Sequence, residues 1–309
     1  MKTRRTFIKQ IGLGTALVSL SPLEAFSNPA KKPIKLTILH TNDMHSHIEA
    51  FSSGSNKGLG GMLQLSSLVK KLRQEEENIL MLDAGDIFQG TPYFNLFGGE
   101  LEFRLMSDIG YDAVTIGNHD FDNGIDGLAS QMHHANFQFI SSNYDFRNTI
   151  LEDKVIPHKV FNKEGIKVGV FGIGVELKGL VDPKLYGNTQ YFEPISVANK
   201  KASYLKKKLN CDLVVCLSHL GFKYKNNKVS DMKLATQTKN IDLIIGGHTH
   251  SFINEPVIVK NSVKKDVLIS QVGFGAIKLG KIDFYFNKNM SNYRSFEHSF
   301  DSKVLDVTA

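Results

Sequence analysis

Residues 112–124 of the chain read DAVTIGNHDFDNG, so a short apolar run leads directly into Asn, His and Asp side chains. Asn, Asp and Gly favour turns, and the polar half of the segment therefore predicts at least a turn after a strand. Asn, Asp and His side chains also bind metal ions, and those of Asp and His can transfer protons. The segment alone does not decide between a turn and a functional site, and the decision depends on the rest of the chain.

Apolar runs of this kind recur along the chain, with amphipathic stretches between them. They are IKLTIL (34–39), NILMLD (78–83), DAVTI (112–116), IKVGVFGI (166–173), CDLVVCL (211–217) and IDLII (241–245). The runs are continuous rather than alternating, which indicates strands that are buried on both faces. Residues 61–74 place Leu and Val at helical spacing and predict an amphipathic helix. Strands that alternate with helices predict an α/β fold with parallel pairing.

The end of the chain has a different pattern. VLISQVG (267–273) and KLGKIDFYFN (278–287) have strand composition but no helix after them. The second of these alternates apolar and polar residues, which predicts an antiparallel strand. We therefore expect a mixed sheet, or two packed sheets, flanked by helices. Residues 288–309 are polar without a clear pattern, and we expect them to form a loose tail.

Polar side chains follow five of the apolar runs, at the point where each predicted strand ends. They are Asp43, His45 and His47; Asp86; Asn118, His119, Asp120 and Asp122; His219; and His248 and His250. The carboxyl ends of strands in an open α/β sheet face a shared crevice, so these distant segments are expected to meet. Asp, Asn and His without Cys suit divalent Zn, Mn, Fe or Co. The ligands are too many for one ion, and Asp86, alone after its strand, is the expected bridge between two.

The combination D-x-H, G-D, G-N-H-D, S-H and G-G-H-x-H resembles the calcineurin-like metallophosphoesterases. The blocks ILHTNDMHSH, DAGDIFQGTPYFNLFGGE, IGNHDFDNG and GGHTH are more closely similar to the catalytic domain of the 5′-nucleotidase family. The resemblance covers residues 34–287. It implies a mixed-sheet αββα sandwich in that segment.

The resemblance also implies a role for each matched residue. Asp43, His45, Asp86 and His250 match the ligands of one metal, and Asp86, Asn118, His219 and His248 match the ligands of the other. His119 matches the catalytic histidine that binds no metal, and Asp122 matches its acidic partner. His250 stands where some members carry Gln, a weaker ligand. Asp120 has no matched role, and capping or a supporting hydrogen bond are the two expected explanations for it. His47, His133 and His134 are expected to be surface or structural residues.

These assignments predict a dimetal phosphohydrolase, in which a hydroxide that bridges the metals attacks a phosphomonoester, with a nucleotide as the expected substrate. Full-length members of the family carry a C-terminal domain that stacks the nucleoside base, and this chain ends about where the catalytic domain does. The alternatives are therefore a cyclic-nucleotide phosphodiesterase, a UDP-sugar hydrolase, a thiosulfohydrolase-like enzyme, or a metal-binding subunit that needs a separate nucleoside-binding chain.

The N-terminal residues 1–27 are expected to be an export signal. They contain the pair Arg4-Arg5 before a modest apolar run, which resembles a twin-arginine signal and predicts a periplasmic protein. Residues 28–33 resemble a linker. The apolar run is too short for a membrane span, so none is expected once the signal is removed.

The charge of the chain does not favour nucleic-acid binding. The chain has a net charge of +6, and the predicted signal carries +3 of it. The Lys-rich stretch 204–210 is expected to be the solvated face of a helix. Cys211 and Cys216 lie too far apart along a strand to form a disulfide with each other.

Overall fold

The structure, a computed structural model, describes residues 32–288 and 296–308. The predicted export signal, residues 1–27, lies outside the described residues, and so does most of the predicted linker, residues 28–33. Residues 33–309 form one unit, which contains the predicted domain 34–287. Among the described helices, none combines the length and apolar character that a bilayer span requires.

Fifteen strands and seven α-helices make up the described part of the chain. The strands are β1 (Ile34–Thr41), β2 (Ile79–Asp83), β3 (Ala113–Val114), β4 (Gln138–Ile140), β5 (Tyr144–Asp145), β6 (Val155–Ile156), β7 (Lys159–Lys163), β8 (Ile166–Ile173), β9 (Gln190–Tyr191), β10 (Leu213–Ser218), β11 (Leu243–Gly246), β12 (Val257–Lys260), β13 (Asp266–Ser270), β14 (Lys278–Lys288) and β15 (Phe296–Asp306). The helices are α1 (Met62–Glu75), α2 (Pro92–Phe97), α3 (Glu100–Ile109), α4 (Gly124–Gln131), α5 (Pro183–Tyr186), α6 (Pro194–Lys207) and α7 (Asp231–Gln237). Two 3₁₀ turns, His119–Phe121 and Met132–His134, flank α4.

The strands form two large mixed sheets and one small two-stranded sheet. The first large sheet has the order β15-β14-β1-β2-β3-β4-β6, and the second has the order β12-β13-β11-β10-β8-β7. In the first sheet β1, β2 and β3 are parallel, and in the second β8, β10, β11 and β13 are parallel. β14 pairs antiparallel with β1, as its alternating pattern predicts. Each sheet therefore has a block of parallel strands.

Three layers of apolar side chains separate the helices and the two sheets. Along β1, Leu36 and Ile38 join a core that also holds Val168, Val215 and other residues of the second sheet, and this core fills the space between the sheets. The neighbouring Leu39 points to the opposite layer, which includes buried residues of α1, α3 and α4. A third layer lies between the second sheet and α6 and α7. The order helix, sheet, sheet, helix is the αββα sandwich, and it explains why the runs are apolar on both faces.

The predicted elements match the observed ones closely in the parallel strands and the long helices. The run 166–173 forms β8 over its full length, and the helix predicted over 61–74 is α1. The Lys-rich stretch lies at the end of α6, where Ala198, Ala202 and Leu205 are buried. Cys211 and Cys216 are both free thiols.

The expectation of a loose tail over 288–309 is wrong for residues 296–306. This segment is β15, which pairs antiparallel with β14 along its whole length, from Lys288 opposite Phe296 to Lys278 opposite Asp306. The segment has no alternating apolar pattern because it is an edge strand, where backbone pairing rather than side-chain burial holds the chain.

Candidate metal centre

The candidate functional residues lie in five loops that follow parallel strands of both sheets. Asp43 and His45 follow β1, Asp86 follows β2, and Asn118 follows β3, all in the first sheet. His219 follows β10, and His248 and His250 follow β11, in the second sheet. The carboxyl ends of the two parallel blocks thus share one rim of the sandwich. The expected convergence of the strand ends is achieved by two sheets that are packed face to face.

Three of these residues form a first cluster, composed of Asp43, His45 and His250. Their potential ligand atoms all lie within 4.8 Å of one another. Nε2 of His45 lies 3.0 Å from Nε2 of His250, which lies 3.4 Å from Oδ1 of Asp43. A carboxylate and two imidazoles at these distances are a ligand set that suits Zn, Mn, Fe or Co.

A second cluster contains Asp86, His219 and His248, again with all potential ligand atoms within 4.8 Å. Nε2 of His219 lies 3.0 Å from Oδ2 of Asp86. The same Oδ2 lies 4.0 Å from Nε2 of His45 in the first cluster. Asp86 is therefore the carboxylate that faces both clusters, as a bridging ligand must.

Two buried polar atoms, one in the second cluster and one in the loop after β3, have no well-directed hydrogen-bond partner among the described residues. They are Oδ1 of Asn118 and Nε2 of His219, which is close to the Asp86 carboxylate but is not aligned with it as a donor. Burying an unpaired polar atom costs about 1–3 kcal/mol, so such atoms call for a missing partner. A divalent cation is a partner that suits an amide oxygen, an imidazole nitrogen and a carboxylate together, and the residues present fit a metal pair.

Outer hydrogen bonds orient two of the imidazoles toward the clusters. Nδ1 of His219 lies 2.7 Å from the carbonyl oxygen of Ala84, and Nδ1 of His45 lies 3.2 Å from that of Gln89. A carbonyl accepts a hydrogen bond from Nδ1–H, so in the neutral imidazole Nε2 is the nitrogen that can bind a metal. Burial lowers the pKa of His45, and it lowers the pKa of His248 to about 4, so both are neutral, as metal ligands must be.

His219 differs in its acid–base state. Burial disfavours its charged form, but the neighbouring Asp86 outweighs burial and raises the pKa of His219 to about 10. The imidazolium and the carboxylate thus neutralise each other. Binding a metal ion in this cluster requires that the proton be released.

The backbone of the ligand loops adopts a left-handed conformation that residues other than Gly usually avoid. Five residues have positive φ angles between 48° and 75°, and they are Asp43, His45, Asp86, His248 and His250. Left-handed backbone at residues other than Gly costs free energy and concentrates at functional sites, where the surrounding fold imposes it. Gly117 is required for a reason of space, because a Cβ there would overlap Oδ1 of Asp86.

His119 and Asp122 form a pair at the edge of the clusters. Nδ1 of His119 lies 2.8 Å from Oδ2 of Asp122, and this hydrogen bond raises the pKa of His119 above its usual value. The imidazole ring centre lies 5.3 Å from that of His45, and the backbone N–H of His119 donates to Oδ1 of Asp86. His119 belongs to neither cluster, which is the arrangement that the resemblance implies for a histidine that handles protons.

Asp120 connects the two loops that carry Asp86 and Asn118. Its buried carboxylate accepts hydrogen bonds from the backbone N–H groups of Asp86, Ile87 and Phe88 at 2.8–3.2 Å and from that of Gly117 at 2.7 Å. Of the two roles left open for this residue, the structure therefore shows a supporting hydrogen-bond acceptor. Burial raises the pKa of Asp120 to about 6.

Asn42 supports the first cluster, and the sequence patterns did not single it out. Its Nδ2 donates to Oδ2 of Asp43 and to the carbonyl of Gly273, and its Oδ1 accepts from the backbone of Val272. The only sequence signal was its position inside HTND, directly before the ligand. His47, His133 and His134 lie in neither cluster. His47 stacks on Phe51, and the other two lie in a 3₁₀ turn.

Comparisons with known proteins agree with this geometry. A family model described as calcineurin-like phosphoesterase matches residues 36–252. The chain is 35% identical over 249 residues to a 5′-nucleotidase of Rattus norvegicus, aligning 77% of this chain with 41% of that protein. It is 36% identical over 254 residues to a 5′-nucleotidase of Vibrio cholerae, aligning 77% of this chain with 44% of that protein.

Solved structures of nucleotidases are also similar to this chain. A 5′-nucleotidase precursor from Thermus thermophilus superposes with a TM-score of 0.78 at 29% identity, covering 89% of this chain and 55% of that one. An NAD nucleotidase from Haemophilus influenzae superposes with the same TM-score at 25% identity, covering 90% of this chain and 57% of that one. The chain spans less than half the length of the curated relatives that it matches.

Proposed function

We propose a function for this chain from one premise, which is that it belongs to the calcineurin-like phosphoesterase family and is a metal-dependent phosphoric ester hydrolase. The proposed reaction is hydrolysis of a phosphomonoester, with a 5′-nucleotide as the substrate. The observation that carries the proposal is the placement of Asp86 between two ligand clusters, with the His119–Asp122 pair beside it.

Seven side chains are proposed to hold two divalent ions. Asp43, His45 and His250 would bind one ion, His219, His248 and Asn118 would bind the other, and Asp86 would bind both. When bound, such a pair lowers the pKa of water to supply a nucleophile and neutralises charge on the phosphoryl oxygens. The identity of the metal is left among Zn, Mn, Fe and Co.

The protein's own contribution is to position the substrate and to manage protons. His119, whose pKa is raised by its hydrogen bond to Asp122, donates in its protonated form a hydrogen bond to the phosphoryl group or a proton to the leaving oxygen. Asp122 fixes the ring so that Nε2 is free for the substrate, since Nδ1 is engaged. Asp120 holds the Asp86 and Asn118 loops in register during this step.

The proposal is tested by replacing His119 with Asn. His119→Asn is expected to lower kcat on 5′-AMP and on p-nitrophenyl phosphate by roughly 10²–10⁴-fold, because one acid–base group is lost, while two metal ions per chain are still bound. His133→Asn removes an exposed imidazole outside the clusters and is the matched control. Equal turnover by His119→Asn and the parent enzyme would refute the assigned mechanism.

The substrate can be identified by a phosphate-release screen, which is combined with metal analysis of the purified protein. The screen compares 5′-nucleotides, cyclic nucleotides, UDP-sugars and sugar phosphates. We expect 5′-nucleotides to be hydrolysed with the highest kcat/KM. Metal uptake without turnover of any of these would instead support the metal-binding subunit that needs a separate nucleoside-binding chain.

We also propose that the chain is exported to the periplasm through its Arg4-Arg5 segment. A twin-arginine substrate crosses the membrane folded, which suits a protein that loads its metals first. Arg4→Lys combined with Arg5→Lys is expected to keep the protein in the cytoplasm at its precursor length. Export of the double variant at the parent level would argue for a different signal.

A further inference from the structure

A group of aromatic rings adjoins the first cluster on the side of His250. The ring of Phe274 stacks on the ring of His250, with centroids 5.1 Å apart and an angle of 21° between the planes. The ring of Phe252 lies 6.1 Å from that of Phe274 at 69°, so the two phenyl rings form a corner. Phe252 is thus two ring contacts away from a proposed metal ligand.

Phe252 is exposed although its backbone is fixed. The residue is 45% exposed, whereas the next residue, Ile253, is buried. Backbone hydrogen bonds hold the chain on both sides of Phe252, from Gly273 to Ser251 and from Ile253 to Gln271, each 3.0 Å long. The phenyl ring is therefore presented to solvent by a paired segment and not by a free loop.

Gly273 provides the surface on which the Phe252 ring rests. A Cβ at residue 273 would overlap three atoms of that ring, and the backbone there has a φ of 82°. Only Gly allows both the left-handed backbone and the close contact. The ring is thus packed on one side and accessible on the other, which is the geometry of a stacking surface with little side-chain entropy left to lose.

A single exposed Phe is ordinary in a soluble protein and would carry no argument alone. Here the exposed ring is rigidly mounted, belongs to the same loop as His248 and His250, and contacts Phe274, which packs on His250 itself. A substrate whose phosphoryl group is held at the clusters would therefore have this aromatic corner beside it.

We propose that Phe252 and Phe274 form a stacking platform for a flat aromatic group on the substrate, such as the base of a nucleotide. The inference rests on the proposed function, because the phosphoryl site is what places the substrate beside His250. Stacking on a phenyl ring tolerates any base, so the platform selects a flat group and not one particular base. Purine nucleotides, with the larger ring system, are expected to benefit more than pyrimidine nucleotides.

The first test compares hydrolysis of 5′-AMP with that of ribose 5-phosphate, which lacks the base, in the presence of Mn²⁺. Phe252→Ala is expected to lower the ratio of kcat/KM for 5′-AMP over ribose 5-phosphate about 10-fold, through KM and not kcat. Phe252→Tyr keeps the ring and is expected to restore the parent ratio. The control is Phe300→Ala, which removes a partly exposed ring on β15 that packs on Phe284, far along the sheet from the rim.

The second test needs no turnover and separates the platform from the proposed function. Binding of adenosine and of ribose is measured by calorimetry on the parent, Phe252→Ala and Phe252→Tyr proteins. Adenosine affinity is expected to fall about 10-fold in Phe252→Ala and to return in Phe252→Tyr. Phe252-dependent adenosine binding without any phosphate release would uphold the platform and refute the hydrolase. Hydrolysis of 5′-AMP with the same selectivity ratio in Phe252→Ala and the parent would refute the platform alone.

Discussion

The two ligand clusters each hold two buried side chains and one partly buried histidine, but they differ in the histidine that lies beside the carboxylate. In the second cluster the side chain of His219 is 0% exposed and that of Asp86 is 2% exposed, whereas in the first cluster 40% of the His250 side chain is exposed. The ring of His219 is tied to a backbone carbonyl, whereas the ring of His250 rests against the rings of His45 and Phe274. The histidine beside Asp86 is therefore fixed in the interior, whereas the histidine beside Asp43 lies at the surface.

The two proposed ions would therefore not be equivalent. A buried ligand that is tied to the backbone is displaced by water less readily than a partly exposed ligand. The partly exposed ligand, His250, is the one that lies next to the aromatic corner. Substitutions at the clusters and at the residues that support them can show whether the clusters act separately or as one unit through Asp86.

The largest effect is expected at Asp86, because it faces both clusters. Asp86→Asn keeps the shape of the side chain but removes the charge, and it is expected to lower kcat/KM roughly 10³-fold or more while metal content falls below two ions per chain. Asp126→Asn, a change of the same type on an exposed position of α4, serves as the control. Loss of only one ion with most activity kept would show that the clusters act independently.

A smaller and unequal effect is expected when each cluster loses one histidine. His250→Ala should lower the affinity for one ion by about 10–100-fold. Its thermal stability should stay near that of the parent, since the side chain is partly exposed. His219→Ala should remove the other ion and also lower Tm by about 5 °C, because it empties a buried position. Metal analysis and thermal denaturation of both variants make the comparison. Equal Tm values for the two variants would contradict the contrast between a buried and a partly exposed histidine.

Asp120 is expected to give a weaker effect that reaches both clusters. Asp120→Asn replaces one of the two acceptor oxygens by an NH₂ group that faces backbone donors, so the loops of Asp86 and Asn118 lose part of their connection. We expect metal affinity to fall about 10–100-fold while the far-ultraviolet circular dichroism is unchanged. Asp120→Glu, which restores the charge, should recover part of the affinity. An unchanged metal affinity in Asp120→Asn would leave Asp120 with a merely local role.

The sequence predicts some elements of the fold well and others not at all. Runs such as 166–173 are apolar and rich in β-branched residues, which favours a strand buried on both faces, and the predicted strand matches β8. The short strands, including β5 and β9 with two residues each, could not be predicted, because they depend on contacts between distant segments. β15 was missed for the same reason, since it is defined by its pairing with β14.

The candidate site was predictable in its residue types but not in its supports. Asp, Asn and His at successive strand ends are visible in the sequence, whereas the contacts of Asn42 and Asp120 with distant backbone groups are set by the packing of loops. The sharing of one rim by two sheets was also not visible, because a strand pattern does not state which sheet the strand joins. Phe252 gave no signal, since an exposed Phe after GGHTHS has no periodicity to mark it.

The smallest effect on catalysis, and a measurable one on stability, is expected at His40. Like His219 it is fully buried, but within the described part of the chain neither of its ring nitrogens has a hydrogen-bond partner, and it lies on β1 against Gly280 outside both clusters. Burial lowers the pKa of His40 from 6.5 to about 3, so the folded protein keeps this imidazole neutral where the unfolded chain binds a proton. Its contribution to stability is therefore complete above pH 6.5 and is lost as the pH falls from 6.5 toward 3.

Replacing His40 by Met, which removes the titrating ring from this buried position, isolates that contribution. Between about pH 7.5 and pH 5.0 the parent should lose about 2 kcal/mol of unfolding free energy that the His40→Met variant keeps, as measured by urea denaturation at matched metal concentration. Turnover at the upper pH should change by less than about twofold, because the residue belongs to neither cluster. If both proteins lost stability in parallel over this range, the buried imidazole would have to be charged in the fold, and the contrast with His219, whose charge is matched by Asp86, would disappear.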